Sequence, residues 1–237
     1  MSDTFVLITG AWHGGWAWRP VAEHLRAAGK SVLTPTLPGL GDGEDPTGYS
    51  LADVVASIVD LVESNDLRDV TLVGHSWGGY PMTGAASLLK DRLAKVIYWS
   101  AFVPADGRSL FDELPKSYQD LFIEQSAASG NNTVRLPFEV WQAGFIQDAT
   151  LEVQRLTHEL LVPHPMQYFT EPVTALEPSF GVPVSYVLTE DDISQPLDET
   201  GWSKYIKRLN VTPILTPGSH EACFTTPRSL AQALLLA

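Results

Sequence analysis

Short runs of consecutive apolar residues alternate along this chain with longer segments in which apolar residues recur every three or four positions. Runs of the first kind are typical of strands that are buried on both faces of a sheet. We predict such strands at 5–9, 31–35, 70–74, 95–101, 182–190 and 211–217. Segments of the second kind predict amphipathic helices at 17–29, 50–64, 77–89, 197–209 and 228–237. The alternation predicts an α/β fold with a mostly parallel sheet flanked by helices.

Capping residues stand at several of the predicted helix ends. Ser50 precedes the second helix and Asp53 follows three residues later, which is the spacing of a capping box. Gly29 ends the first helix, where a left-handed conformation is needed, and Thr226 with Pro227 begins the last one. These local signals agree with the apolar pattern.

The alternation stops between residues 102 and 178. Helical fragments at 110–127 and 149–161 replace the strands, with glycine, asparagine and proline between them. A segment of this kind is typical of an insertion into a sheet. We therefore predict a core formed by 1–102 and 181–237 and a helical cap formed by 103–180.

Composition narrows the class of protein. The 237 residues are 44% hydrophobic and 18% charged, which predicts a folded chain with a sizeable core. A formal charge of −13 repels phosphate backbones and anionic headgroups, so nucleic acid and membranes are poor partners. The single cysteine excludes an internal disulfide, and the first residues lack a basic leader segment. We expect a cytoplasmic protein with a small-molecule partner; a homodimer stays open.

One uncharged segment contains the strongest motif. Residues 70–89 hold no acidic or basic side chain, and Gly74–Gly78 reads GHSWG between a predicted strand and a predicted helix. This context favours a nucleophile elbow, in which a sharp turn presents Ser76 at the carboxyl edge of the sheet. The Trp77 amide would then face an oxyanion. A plain turn with an incidental serine is the alternative.

A serine nucleophile needs a base and an acid that orients the base. In this order of elements the acid should precede the histidine. His220 follows the last predicted strand and is the candidate base. After the preceding strand come Glu190, Asp191 and Asp192, of which we favour Asp192, then Asp191; Asp106 is a minor third candidate.

The loop after the first strand should supply the second oxyanion donor. Its sequence is GAWHGGW, and we assign the role to the Ala11 amide, with Trp12 as the weaker candidate. Packing of the helix on the sheet is the alternative reason for its glycines. Aromatic and histidine side chains near these segments are candidates to bind substrate, although most buried aromatics only pack. The selected set is Trp12, His75, Trp141, Phe145 and Tyr168.

Six segments together resemble the α/β-hydrolase fold, and within it the branch of plant methylesterases, hydroxynitrile lyases and small bacterial esterases. They are 5–18, 25–41, 69–79, 101–115, 161–173 and 217–227. The resemblance implies a triad of Ser76, Asp192 and His220, oxyanion amides from Ala11 and Trp77, a helical cap and no cofactor or metal.

Three positions depart from relatives in that branch. Many relatives have histidine where this chain has Thr9, and lyases of the rubber-tree type have threonine at Ala11 and lysine at Glu221. A negative Glu221 beside the leaving group would oppose cyanide formation. We therefore predict a serine esterase for small to medium apolar carboxylic esters, with methyl esters as one candidate. Alternatives are cleavage of a C–C bond, lactone, thioester or cyanohydrin, or a receptor that retains the triad.

Overall fold

The computed structural model describes residues 3–173 and 181–237. A sheet of six parallel strands forms its centre, in the spatial order β2-β1-β3-β4-β7-β8. The strands are β1 (Thr4–Ile8), β2 (Ser31–Leu33), β3 (Val70–His75), β4 (Leu93–Trp99), β7 (Val184–Thr189) and β8 (Ile214–Thr216). The order reverses at β1 and β3, so a crevice opens at their carboxyl ends, where ligands bind in such sheets.

Helices cover both faces of this sheet because alternate strand residues point to opposite sides. Leu72 of β3 packs in the core under α2 (Leu51–Ser64) and α3 (Gly79–Leu88). Its neighbour Val73 packs in a second core under α1 (Arg19–Ala27) and α10 (Pro227–Leu236). The sheet therefore lies between two apolar layers and is a rigid base for the loops at its edge.

The predicted insertion contains helices and one small two-stranded sheet in its described part. The helices are α4 (Lys116–Ser129), α5 (Phe138–Gly144), α6 (Leu151–Glu159) and α7 (Met166–Thr170). Strand β5 (Thr133–Val134) pairs antiparallel with β6 (His164–Pro165), a pairing that the sequence did not indicate. The predicted boundary at 180 and 181 adjoins residues outside the described ones, and the division into core and cap stays a prediction.

Several predicted elements occur with shifted ends. The helix predicted at 77–89 begins with a 3-10 turn, Ser76–Gly78, before α3. The helix predicted at 197–209 is shorter, α8 (Trp202–Leu209), and a short helix, α9 (Ala222–Thr225), follows the last strand. Ser50 and Asp53 form the reciprocal capping box that their spacing predicts. Among the described residues, no helix combines the length and the apolarity that crossing a bilayer requires.

Candidate active site

Ser76 lies in a strained turn between β3 and α3. Its φ is 52°, a left-handed value that is uncommon for a residue with a side chain. The chain on both sides leaves no room for larger neighbours: a Cβ on Gly78 would lie 2.3 Å from the Thr9 carbonyl oxygen. Glycine at this position allows the helix start to approach β1 closely. The turn thus has the geometry expected of a nucleophile elbow.

His220 and Asp192 form a direct pair. The loop after β8 holds His220, and the loop after β7 holds Asp192. His220 Nδ1 lies 2.7 Å from Asp192 Oδ2, and both residues are buried. Asp191 and Asp106, the other candidate acids, are exposed. Of the three, Asp192 is therefore the one whose carboxylate orients the His220 ring.

Ser194 joins this pair, and sequence reasoning missed it. Its backbone amide and its hydroxyl both donate to Asp192 Oδ1, at 3.0 and 2.7 Å, and the hydroxyl oxygen lies 3.1 Å from His220 Nδ1. An aspartate followed two residues later by serine is typical of a local turn in which the carboxylate accepts both groups. That spacing is the signal that could have revealed it.

The pair shifts the pKa of both partners in the direction that favours charge separation. Burial alone lowers the pKa of His220, but the charges of Asp192 and Glu221 and the hydrogen bond that Asp192 accepts from the ring outweigh burial and raise it. Burial likewise favours a neutral Asp192, yet His220 and the two Ser194 donors hold its pKa below the usual range. His220 is thus a stronger base than an ordinary histidine at the same depth.

His75 hydrogen-bonds to the backbone of the loop that holds His220. Its ring stacks on Trp99 with centroids 3.9 Å apart, and its Nε2 lies 3.1 Å from the His220 carbonyl oxygen. Because a carbonyl only accepts, the His75 nitrogen must donate. Burial, with His220 and His13 nearby, lowers the pKa of His75 well below the usual value. A neutral His75 therefore holds the backbone of His220.

The loop after β1 lies against Ser76, and one of its backbone amides already donates a hydrogen bond within the protein. Trp12 has a φ of 66°, and its backbone amide donates to His164 Nδ1 at 3.2 Å. The Trp12 carbonyl accepts from the Val162 amide at 3.0 Å. For the Ala11 amide, the described part of the chain provides no partner. Of the two candidates, Ala11 is the amide that is free to meet an oxyanion.

The Trp77 amide is the second candidate donor. Trp77 lies in the 3-10 turn that precedes α3, where the first amides of a helix have no partner in the helix. The indole is held by a separate contact, because Trp77 Nε1 donates to the Tyr168 carbonyl oxygen at 3.1 Å. Ala11 and Trp77 both line the cavity that Ser76 lines.

This cavity is small: it encloses about 370 Å³ of empty space, part of which is open to solvent. Both Ser76 and His220 line it, which brings the predicted nucleophile and base to one space. Trp12 and Phe145 line it as predicted. The cap supplies further walls that sequence reasoning did not select as substrate-binding: Leu110, Leu114, Tyr118, Phe122 and Phe169; the core supplies Phe102, Ser194 and Gln195.

Three predicted substrate-binding residues do not line the cavity. His75 packs on Trp99, and its Nε2 donates to the His220 carbonyl oxygen. Trp141 is fully buried in the core and donates from Nε1 to Gln154. Tyr168 stacks on Trp77, and its hydroxyl donates to the Pro38 carbonyl oxygen at 2.9 Å. Hydrogen bonds tie two of these rings to backbone outside the cavity, and the assignment of the three residues as substrate-binding stays a prediction.

Glu221 follows His220 directly but is not a wall of the cavity. Its carboxylate is buried and lies 3.7 Å from His13 Nε2 and 3.5 Å from Cys223 Sγ. The expectation that its charge stands beside a leaving group is therefore not met. The charge acts instead on the ring of His220, whose pKa it raises.

His75, His220 and Glu221 are also the one group among the described residues whose spacing matches a metal site. One potential ligand atom of each lies within 4.8 Å of the others. His75 Nε2 donates to the His220 carbonyl oxygen, and His220 Nδ1 donates to the Asp192 carboxylate. Hydrogen bonding already accounts for this cluster, so we assign no metal to it.

The chain matches the model of the alpha/beta hydrolase family over residues 5–233. Similar proteins include a carbendazim hydrolyzing esterase of Nocardioides sp. (strain SG-4G), 44% identical over 115 residues that cover 48% of each chain. The match thus spans about half of that relative. Methylesterase 18 of Arabidopsis thaliana is 28% identical, covering 98% of this chain and 96% of that protein.

A solved structure agrees over nearly the whole length. An extracellular alpha/beta-hydrolase from a Paenibacillus species, which shares structural and functional homology with Tobacco Salicylic Acid Binding Protein 2, has a TM-score of 0.93. It is 29% identical and the alignment covers 99% of this chain and 98% of that one. The chain belongs to the alpha/beta hydrolase family, which confirms the fold and the family resemblance predicted from its sequence.

Proposed function

We propose that this protein is a serine esterase that cleaves small carboxylic esters through an acyl-enzyme intermediate. One observation carries the proposal: Ser76, in a strained turn, lines the same apolar cavity as His220, whose Nδ1 is 2.7 Å from Asp192 Oδ2. A serine, an imidazole and a buried carboxylate in this arrangement can generate an alkoxide-like nucleophile. The carbendazim esterase and the methylesterase among the relatives support ester cleavage.

In the proposed reaction the Ser76 hydroxyl adds to the ester carbonyl while His220 Nε2 takes its proton. The Ala11 and Trp77 amides hydrogen-bond to the oxyanion. When the C–O bond to the alcohol breaks, His220 returns the proton to the departing oxygen. Water then adds to the acyl carbon, giving its proton to His220, and the carboxylic acid leaves as Ser76 regains a proton. Asp192 accepts from Nδ1 throughout and stabilises the imidazolium.

The size and chemistry of the cavity support a small ester. The cavity is small, which limits the size of the substrate, and most of its walls are aromatic or aliphatic. Methyl esters fit this limit because their alcohol is the smallest that exists. Lactones, thioesters, C–C bonds and cyanohydrins are the alternative substrates, and a receptor with slow turnover is the alternative class.

A Ser76→Ala variant tests the proposal. We expect its kcat on short aryl esters to fall about 10³-fold or more relative to the unmodified protein, because the covalent route is lost. A fluorophosphonate probe should label the unmodified protein rapidly at Ser76 and leave the variant unlabelled. Equal ester turnover by both proteins would contradict the proposal. Labelling without turnover of any ester would identify a receptor, and a panel that adds lactones, thioesters and cyanohydrins separates the other reactions.

A further inference from the structure

Two polar side chains on the cavity wall, Ser194 and His220, are held by hydrogen bonds within the protein. Ser194 donates to Asp192, and His220 is held by the same carboxylate. Tyr118 is half-buried, and burial raises the pKa of its hydroxyl to about 12, so it stays a neutral phenol. Gln195 differs from these groups because it is a buried side chain whose carboxamide has both a donor and an acceptor.

The carboxamide oxygen of Gln195 has no hydrogen-bond partner among the described residues. The residue is 5% exposed and lines the cavity next to Ser194. Its Oε1 atom is fully buried and has no hydrogen-bond partner within the described residues. A buried amide oxygen without a donor destabilises the folded protein. Such groups in native structures call for an explanation, and a bound molecule is one.

We propose that Gln195 determines substrate specificity by hydrogen bonding to an N–H or O–H group of the substrate. This inference rests on the proposed esterase function and narrows its substrates. They are small esters or carbamates with an apolar body and one hydrogen-bond donor near the reacting carbonyl. Apolar walls bind the body of such a molecule without selecting among similar shapes, whereas a buried polar group rejects an analogue that leaves it unpaired.

Three methyl esters of nearly equal size test this. Methyl phenylacetate has no donor, methyl mandelate adds an O–H, and methyl N-phenylcarbamate replaces the CH₂ by N–H. They are compared in the unmodified protein and in Gln195→Met, which keeps the length and removes both polar atoms. We expect kcat/KM for the two donor esters to fall about 10- to 100-fold in the variant. The value for methyl phenylacetate should be unchanged or higher.

A binding measurement separates failure of this inference from failure of the proposed function. Calorimetry of the same esters with Ser76→Ala, alone and combined with Gln195→Met, needs no turnover. Tighter binding of the donor esters that disappears with Gln195→Met supports the inference even if no ester is cleaved. Equal effects of Gln195→Met on all three esters, or no preference for donors in either background, overturn it and leave a trapped water as the partner of the amide. A Gln195→Glu variant, which keeps an acceptor, should retain part of the preference.

Discussion

His220 and His164 are both buried near the candidate active site, yet their hydrogen-bond partners give the two rings different protonation. The Nδ1 atom of His220 faces the Asp192 carboxylate at 2.7 Å, whereas that of His164 faces the Trp12 amide at 3.2 Å. A carboxylate only accepts and an amide N–H only donates. The proton must therefore lie on Nδ1 in His220 and on Nε2 in neutral His164.

This difference in partner also sets the direction of each pKa. The pKa of His220 is raised because Asp192 and Glu221 outweigh the effect of burial. Burial, with a smaller effect from the charge of His13, lowers the pKa of His164 well below the usual value, and no carboxylate compensates. One ring is thus prepared to take a proton at its free Nε2, and the other stays neutral and holds a backbone amide.

Asp192→Asn tests the role of the carboxylate that faces His220. Both Ser194 donors point at Oδ1, so the new amide should keep its oxygen there and turn its NH₂ group toward His220 Nδ1. The His220 proton would then have to move to Nε2, where it blocks the base. We expect kcat on short aryl esters to fall about 10⁴-fold with the fold intact.

Asp191→Asn is the matched control for that variant, because Asp191 is exposed on the same loop. Its rate should stay within about twofold of the unmodified protein, as for most exposed substitutions. A comparable loss of kcat in both variants would show that the conformation of this loop, and not the contact between the Asp192 carboxylate and His220, controls the rate.

His164 variants test the second half of the comparison. His164→Asn offers an oxygen where Nδ1 accepts from the Trp12 amide, whereas His164→Leu offers no acceptor. We expect the leucine variant to lower kcat about 10- to 100-fold with little change in KM, which is less than the loss of an oxyanion donor itself. The asparagine variant should recover most of the rate.

Two measurements distinguish this positioning role from simple stabilisation. Binding of a trifluoromethyl ketone, which forms an oxyanion on Ser76, should weaken in His164→Leu and recover in His164→Asn. Thermal unfolding of both variants shows whether folding explains the loss. If the rate follows the melting temperature and not the presence of an acceptor, His164 only packs.

The turn at Ser76 and the contact between His220 and Asp192 could be predicted because their signals are local or ordered along the chain. Glycine at position 78 is required by contact with Thr9, and the motif and its position after a strand revealed the turn. His220 and Asp192 follow the last two strands, whose ends meet at one edge of the sheet. The choice between Asp191 and Asp192 depended on which side chain turns inward, which only the structure provides.

Most of the cavity walls could not be predicted, because long-range packing decides them. Tyr168 is fully buried near the site, but Pro38, 130 residues away in sequence, binds its hydroxyl and fixes the ring outside the cavity. The inward faces of Tyr118 and Phe122 are set by how α4 lies on the core, and no local signal gives that orientation. The role of the Trp12 amide likewise depended on His164, 152 residues further on.

The smallest expected effect concerns the pH dependence of His220. The base must be neutral to accept a proton, so kcat/KM should rise with pH through the His220 pKa, which is raised above about 6.5. Asp192 and Glu221 are the acids that raise it, and Glu221 does so without touching the cavity. Glu221→Gln removes the charge of Glu221, so the rising limb of the kcat/KM profile against pH should move to lower pH.

The plateau of kcat/KM in Glu221→Gln should stay close to that of the unmodified protein, because Asp192 still orients the ring. Glu190→Gln, which removes an exposed charge beside the same pair, is the control and should leave the limb in place. A limb that does not move in Glu221→Gln would mean that Asp192 alone sets the pKa of His220. The contrast with His164 would then rest on the Asp192 carboxylate. Replacing that carboxylate by a hydrogen-bond donor would turn His220 from a buried base into a buried acceptor, as His164 is.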